Sequence, residues 1–228
     1  MSDAAKQWTK FYTTNTEMMY PAEAVIRIFK GQYPNLKMPK PKARDAILDV
    51  GFGDGRHFPL FASLDMRLAG SEISQEIVDT VASRMSFDTY MDLRVGTCRN
   101  LPWENGIFDF LMAWNSCYYM NEATIFEKHV HEMARVIKPG GWLVCSIPKE
   151  TCFIFKGCEP LTRDSRYVTI RDDYFGIRNG EVMRRFRSPS EIEEDFEPHF
   201  ANFCFADIKI DMFGLMYDWY VFTAERRT

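Results

Sequence analysis

The 228-residue chain is 46% hydrophobic and 26% charged, with a formal net charge of −4, the balance of a globular domain large enough to bury a sizeable core. That acidity argues against a whole-surface nucleic-acid footprint, and no uninterrupted apolar run or leading apolar segment points to a membrane span or export. Six cysteines form no Cys-x-x-Cys pair and the four histidines show no zinc-type spacing, which suits free thiols in a reducing cytoplasm and no metal site.

In chain order, Trp8, Phe11, Tyr12 and Tyr20 precede a helix opened by Pro21, with Val25, Ile28 and Phe29 on its apolar side. From about residue 44 strand and helix patterns alternate. A short apolar strand, Ala46–Val50, leads into a glycine loop and a helix near His57–Ser63. A second strand spans Arg67–Ser71. Ser74 then caps a helix running to about Met85, with Ile77, Val78 and Val81 on one face. A weak third strand covers Asp92–Val95, and Phe108–Ala113 is too continuously apolar to be half exposed. A helix from Glu122 to Ile137 stops at Lys138-Pro139-Gly140-Gly141, and Trp142–Ile147 is a fifth buried strand. This alternation predicts an α/β fold, a mostly parallel sheet with helices on both faces. Beyond Pro148 the pattern changes: Tyr167–Arg171 and Tyr174–Phe186 read as strands, with Asn179-Gly180 as a hairpin turn between Ile177 and Val182. Ser190–Phe196 is an acidic helix, and Phe203–Asp211 and Trp219–Ala224 suit an antiparallel edge pair.

The loop after the first strand reads ILDVGFGDGRH, with Gly51, Gly53 and Gly55 at every second position. Glycines there permit a tight turn and close backbone approach to a ligand. The spacing is neither the GxGxxG of a dinucleotide site nor a phosphate-cradling loop ending in Lys-Ser/Thr. Taken alone, the glycines suit a cofactor cradle or a plain turn. Glu72 follows the second strand, where an acid can accept hydrogen bonds from ribose hydroxyls; a solvated strand-end charge would look the same.

Four segments in order resemble the class I S-adenosylmethionine-dependent methyltransferases: ILDVGFGDG, AGSEIS at 69–74, LPWENGIFDFLMAWNS at 101–116 and ARVIKPGGWLVCSIP at 134–148. The resemblance covers about residues 45–148. It implies a Rossmann-like seven-stranded sheet, a domain spanning 1–228 and S-adenosylmethionine as cofactor. Within that domain, 1–43 would be an N-terminal lid, 44–149 the cofactor-binding core, 150–190 an acceptor-side insertion carrying the hairpin after strand five, and 191–228 a C-terminal helix with edge strands. It further implies that Asp49 and the Gly51–Gly55 backbone meet the methionine part, that Glu72 holds the ribose, that Ile73 lies against the adenine and that Cys98 and Arg99 border it. Phe52 and Thr97 depart from the pattern. Phe52 replaces a small residue and either packs under the loop or narrows the pocket; Thr97 stands where many relatives carry an Asp that binds the adenine amino group.

A methyl acceptor must be oriented about 3–3.5 Å from the methyl group and, if it is an oxygen, deprotonated. Residues just past the fourth strand face this gap, making Asn115 and Tyr118 catalytic candidates and Tyr119 a substrate contact. The segment lacks the Pro-Pro-aromatic pattern of adenine amino-methylases. His57, after the glycine loop, is a third catalytic candidate, whereas His129 and His131 read as ordinary helix-surface residues. Tyr20 and Arg27 are expected to face the cofactor, Arg27 pairing with its carboxylate. Seven arginines and four acids between Arg163 and Arg187 make that stretch locally basic. Arg178, Arg184 and Arg185 are therefore expected to bind an anionic acceptor such as a sugar, sugar nucleotide or glycan terminus. The alternatives are methylation of RNA or protein, or a non-catalytic cofactor-binding assembly subunit, with the chain acting as a monomer or homodimer.

Overall fold

The computed structural model describes residues 3–14, 20–85, 90–120 and 125–228. Its main sheet has seven strands in the order β10-β11-β6-β4-β1-β2-β3. The parallel part comprises β1 (Ala46–Val50), β2 (Arg67–Glu72), β3 (Met91–Val95), β4 (Phe108–Trp114) and β6 (Ile137–Pro148). The last two strands, β10 (Phe200–Met212) and β11 (Leu215–Arg226), form a long antiparallel ribbon, and β11 also runs antiparallel to β6. Fold class and edge arrangement are those expected from the sequence.

Side chains alternate across each strand, so the central strands feed two cores. Leu48, Leu111, Ala113, Leu143 and Cys145 face helix α5 (Phe126–Val136) and helix α6 (Pro189–Phe196). Ile47, Phe110, Met112, Trp142 and Val144 face the helices α2 (Glu23–Lys30), α3 (Phe58–Ala62) and α4 (Gln75–Arg84). Ser74 caps α4 by accepting from the Ile77 amide, as its position predicted. α5 ends at Val136 and β6 begins at Ile137, so the Lys138–Gly141 block, expected to stop the helix ahead of a strand from Trp142, lies within β6 itself. The expected start of α5 at Glu122 lies outside the described residues. Among those described, no helix is long and apolar enough to cross a membrane.

Two features go beyond the sequence pattern. Asp3–Thr14 forms a helix of its own, α1, ahead of α2. The stretch 119–184 supplies a second, four-stranded sheet in the order β5-β9-β8-β7, built from Tyr119–Met120, Val182–Arg184, Asp164–Thr169 and Glu159–Leu161. The expected strand Tyr174–Phe186 is therefore reduced to β9. The Asn179-Gly180 turn exists, closed by Glu181 N–H donating to Arg178 O at 2.9 Å, but it sits within the long connection between β8 and β9 and does not join two strands directly.

The basic character of this insertion serves packing. Arg184 is 1% exposed; its Nε and Nη2 meet Asp195 of α6 at 3.1 and 3.0 Å, and its guanidinium lies 4.1 Å from the Phe186 ring centroid. Arg185 pairs with Glu150 at 3.3 Å. Burial pushes the Asp195 carboxyl up and Arg184 opposes that shift. Removing one member of such a pair strands the other charge. Arg184→Ala should therefore lower unfolding free energy by about 3–5 kcal/mol in chemical denaturation, an outcome opposed to a simple weakening of ligand binding.

Candidate active site

The carboxyl ends of the parallel strands open onto a cavity of about 750 Å³, within the roughly 300–1,000 Å³ usual for small-molecule sites. Its floor is Val50, Gly51, Glu72 and Ile73, one wall is the Gly96–Arg99 turn after β3, and Asn115, Ser116 and Tyr119 follow β4. Ala5, Trp8 and Tyr12 of α1 cover it from one side, and Asn179–Val182 from another.

Glu72 organises the floor. Its Oε1 accepts from the Gly53 amide at 2.9 Å and its Oε2 from the Ile73 amide at 2.7 Å, tying the glycine loop to the end of β2. Burial raises its pKa to about 7, the two amides oppose that, and the neighbouring Asp49 adds to it. The glycines are sterically required. A Cβ on Gly51 would stand 2.7 Å from Ser116 Cβ, and one on Gly53 would stand 2.8 Å from the Tyr12 ring; both residues have positive φ. The Phe52 ring packs underneath, against Phe58 and against the face of Gly70, where a Cβ would approach it to 2.5 Å. Phe52 is thus core and does not narrow the cavity.

Asn115 has φ +57, a left-handed conformation that Asn tolerates better than most residues. Its amide N–H donates to Ser146 Oγ at 2.9 Å, and the Ser146 hydroxyl donates back to Asn115 Oδ1 at 2.7 Å. The side chain is thereby fixed at the cavity edge. Tyr119 stands beside it, its hydroxyl accepting from Arg178 Nε at 3.2 Å. Arg178 also meets Asp173 at 3.0 Å and lies 5.3 Å from the Trp8 ring centroid. It reaches the cavity only through Tyr119 and Trp8.

Of the other expected site residues, Ile73, Thr97, Cys98 and Arg99 line the cavity together. Several do not. Tyr20 is 80% exposed and Arg27 pairs with Glu23 and Tyr33 on the surface, because α2 turns Val25 and Phe29 into the core against Phe61 and Phe110. Asp49 and His57 are buried together, His57 Nδ1 lying 3.4 Å from Asp49 Oδ2; neither lines the cavity, and nor do Gly53 and Gly55. Tyr118 is buried, with burial pushing its hydroxyl well up. Arg184 and Arg185 are held by Asp195 and Glu150 as described above.

The cover comes instead from α1. Trp8 and Tyr12 stack with centroids 5.6 Å apart, Trp8 meets Tyr119 edge-on at 5.8 Å, and Thr9 donates to Ser74 at 2.9 Å. Burial and the Glu72 carboxylate push the Tyr12 hydroxyl up, so it remains a donor. Ala5, Trp8 and Tyr12 are three and four residues apart, the one-face spacing of a helix; that was the available signal. Two further polar groups enter the cavity. Glu181 accepts from the Trp8 indole while burial raises its carboxyl pKa. His129, expected on the helix surface, is 2% exposed and lines the cavity wall.

Residues 48–145 match the family described as a methyltransferase domain. A ubiquinone/menaquinone biosynthesis C-methyltransferase of Rubrivivax gelatinosus is 28% identical over 121 residues, 53% of this chain and 45% of the relative. A demethylmenaquinone methyltransferase of Symbiobacterium thermophilum is 31% identical over 108 residues, 44% of this chain and 41% of the relative. The matched region therefore spans less than half of each curated relative. The crystal structure of the Burkholderia thailandensis 1,6-didemethyltoxoflavin-N1-methyltransferase, solved with 1,6-didemethyltoxoflavin and S-adenosylhomocysteine, superposes with a TM-score of 0.65 at 16% identity, covering 98% of this chain and 87% of that one. The glycine cradle, the Glu72 clamp, the strand order and the family match converge: residues 48–145 match a methyltransferase domain, and the chain around them has the fold of the class I S-adenosylmethionine-dependent methyltransferases.

Proposed function

We propose that the chain binds S-adenosylmethionine along the floor of the cavity and transfers its methyl group to a small polar acceptor held under α1. The observation that supports this reading is the continuity of one cavity from Gly51, Glu72 and Ile73 to Trp8, Tyr119 and Glu181. The fit to the cofactor rests on two features of this chain. Gly51 and Gly53 leave no room for a Cβ, and each Glu72 oxygen, with one amide bound, keeps a lone pair for a ribose hydroxyl. When bound, the cofactor supplies an electrophilic methyl on a sulfonium sulfur. The residues of the chain orient the acceptor, exclude water and receive any proton it must lose.

The aromatic walls favour an acceptor with a flat face. Trp8, Tyr12 and Tyr119 offer rings, while Asn115, the Tyr119 hydroxyl and Glu181 offer polar contacts at the edges. The curated relatives are named for ubiquinone, menaquinone and demethylmenaquinone methylation, and the toxoflavin-pathway enzyme binds 1,6-didemethyltoxoflavin; a flat ring acceptor is consistent with those names. An anionic sugar acceptor has weaker support, since Arg184 and Arg185 are committed elsewhere and Arg178 is paired with Asp173. Glu181 is the carboxylate placed to hold an acceptor donor or take its proton. Its raised pKa brings it closer to the range in which a carboxylate acts as a base near neutral pH.

Titration calorimetry should show binding of S-adenosylmethionine and none of NAD, and a labelled-methyl assay across quinone-type, heterocyclic and sugar acceptors should identify the acceptor class. Tight binding of NAD, or no binding of S-adenosylmethionine, would remove this reading. Because the ionised form of Glu72 is the better acceptor for ribose hydroxyls, S-adenosylhomocysteine should bind more tightly as pH rises through about 7. A gain of about tenfold between pH 5.5 and 8 is expected, corresponding to roughly one charge-assisted hydrogen bond. Glu181→Gln should lower kcat by about 10²-fold or more with S-adenosylhomocysteine affinity unchanged, read by steady-state kinetics beside calorimetry.

A further inference from the structure

His129 occupies the first turn of α5, with its Nδ1 at 2.8 Å from the Cys117 carbonyl oxygen. A carbonyl only accepts, so Nδ1 carries the proton and Nε2 presents a lone pair. Nε2 is buried and has no hydrogen-bond partner among the described residues, yet the side chain lines the cavity. Burial and the nearby Arg99 charge lower the pKa to about 4, outweighing the Cys117 carbonyl. The ring is therefore neutral and fixed in one tautomer, a buried acceptor that lacks a donor. An orphaned buried acceptor of this kind costs stability unless a ligand satisfies it.

Its position says which part of a ligand it meets. Glu132, one turn further along α5, accepts from the Leu101 amide at 2.7 Å, and Arg135 donates to the Leu101 and Trp103 carbonyls. These bonds fasten α5 to the turn after β3 and set His129 at the Thr97–Arg99 end of the cavity. β3 is the neighbour of β2 on the side away from β1, and a ribose held by Glu72 would have its base toward that side. Ile73 and Cys98, which line the cavity together with His129 of α5, would then hold the base. Thr97 Oγ1 accepts from the Arg99 amide at 3.4 Å and its backbone pairs with Asn100, which leaves its hydroxyl oxygen one lone pair, whereas His129 Nε2 has no partner among the described residues.

Resting on the cofactor reading above, we propose that His129 Nε2 accepts a hydrogen bond from the exocyclic amine of the cofactor's adenine, making His129 the residue that selects a 6-aminopurine. An imidazole lone pair discriminates against a purine that lacks a donor at this position, because Nε2 would then remain buried and unpaired.

The test compares S-adenosylhomocysteine with its analogue bearing an unsubstituted purine, by calorimetry and without turnover. Wild-type protein should prefer the amine by about tenfold. His129→Asn keeps a donor near the Nδ1 position for the Cys117 carbonyl but removes the group at Nε2; it should bind the two ligands with equal affinity. His129→Gln extends an amide oxygen toward the Nε2 position and should restore a preference. Unchanged melting temperature of His129→Asn without ligand separates a lost contact from a lost fold. Equal binding of both ligands by the wild type would overturn the assignment while leaving the cofactor reading intact, whereas failure to bind S-adenosylhomocysteine at all would overturn both. Intact amine preference in His129→Asn with lost turnover would also overturn it, and would move His129 to the acceptor side.

Discussion

A single buried carboxylate holds the cavity floor together. Glu72 receives one amide from the glycine loop and one from its own following residue, so the end of β1 and the end of β2 are joined by a charge sunk in the protein. Desolvation opposes that charge and two backbone donors sustain it. The glycines are a consequence: the Gly53 amide reaches Glu72 while Tyr12 lies where a Cβ would project. Phe52 between them turns the other way and braces the loop from below against Phe58 and Gly70. Backbone, lid and core meet within three residues.

Tyr119 performs the corresponding task above the floor. It belongs to β5 and so to the second sheet, yet it lies only a few residues beyond Asn115 at the end of the central β4. Its ring meets Trp8 and its hydroxyl meets Arg178. The chain leaving the parallel sheet is thereby captured by the insertion, and α1 is held by both. The buried charges of the insertion, Arg178 with Asp173 and Arg184 with Asp195, stiffen this cover and contribute no net positive face to the ligand.

The parts of the molecule legible in the sequence are those encoded by consecutive residues. The ILDVGFGDG loop and the AGSEIS strand end each carry their geometry locally, through φ-tolerant glycines and continuous apolar strands. What escaped depends on which face meets which. Trp8 and Tyr12 have helical spacing, but only the folded sheet shows that their face covers Gly53. The Arg27 helix forms where expected, yet its apolar side requires Phe61 and Phe110, which turns the arginine outward. Counting arginines between 163 and 187 could not reveal that Asp195, on a later helix, neutralises one of them. His129 lies on an amphipathic helix whose buried face became identifiable only through the bonds of Glu132 and Arg135 to the 101–103 segment.

The lid helix has a thermodynamic character of its own. α1 is 12 residues long, at or below the length at which isolated helices persist in water. Its order is therefore borrowed from Ser74 and from Tyr119 and Glu181, the last two of which line the cavity. Helix formation and cavity closure are two descriptions of one equilibrium. Any molecule that binds beneath Trp8 and Tyr12 adds its binding free energy to the helical state by mass action. Helicity in this segment thus becomes a spectroscopic gauge of occupancy, and weakening the helix at a residue that touches no ligand would lower affinity for every ligand the lid encloses.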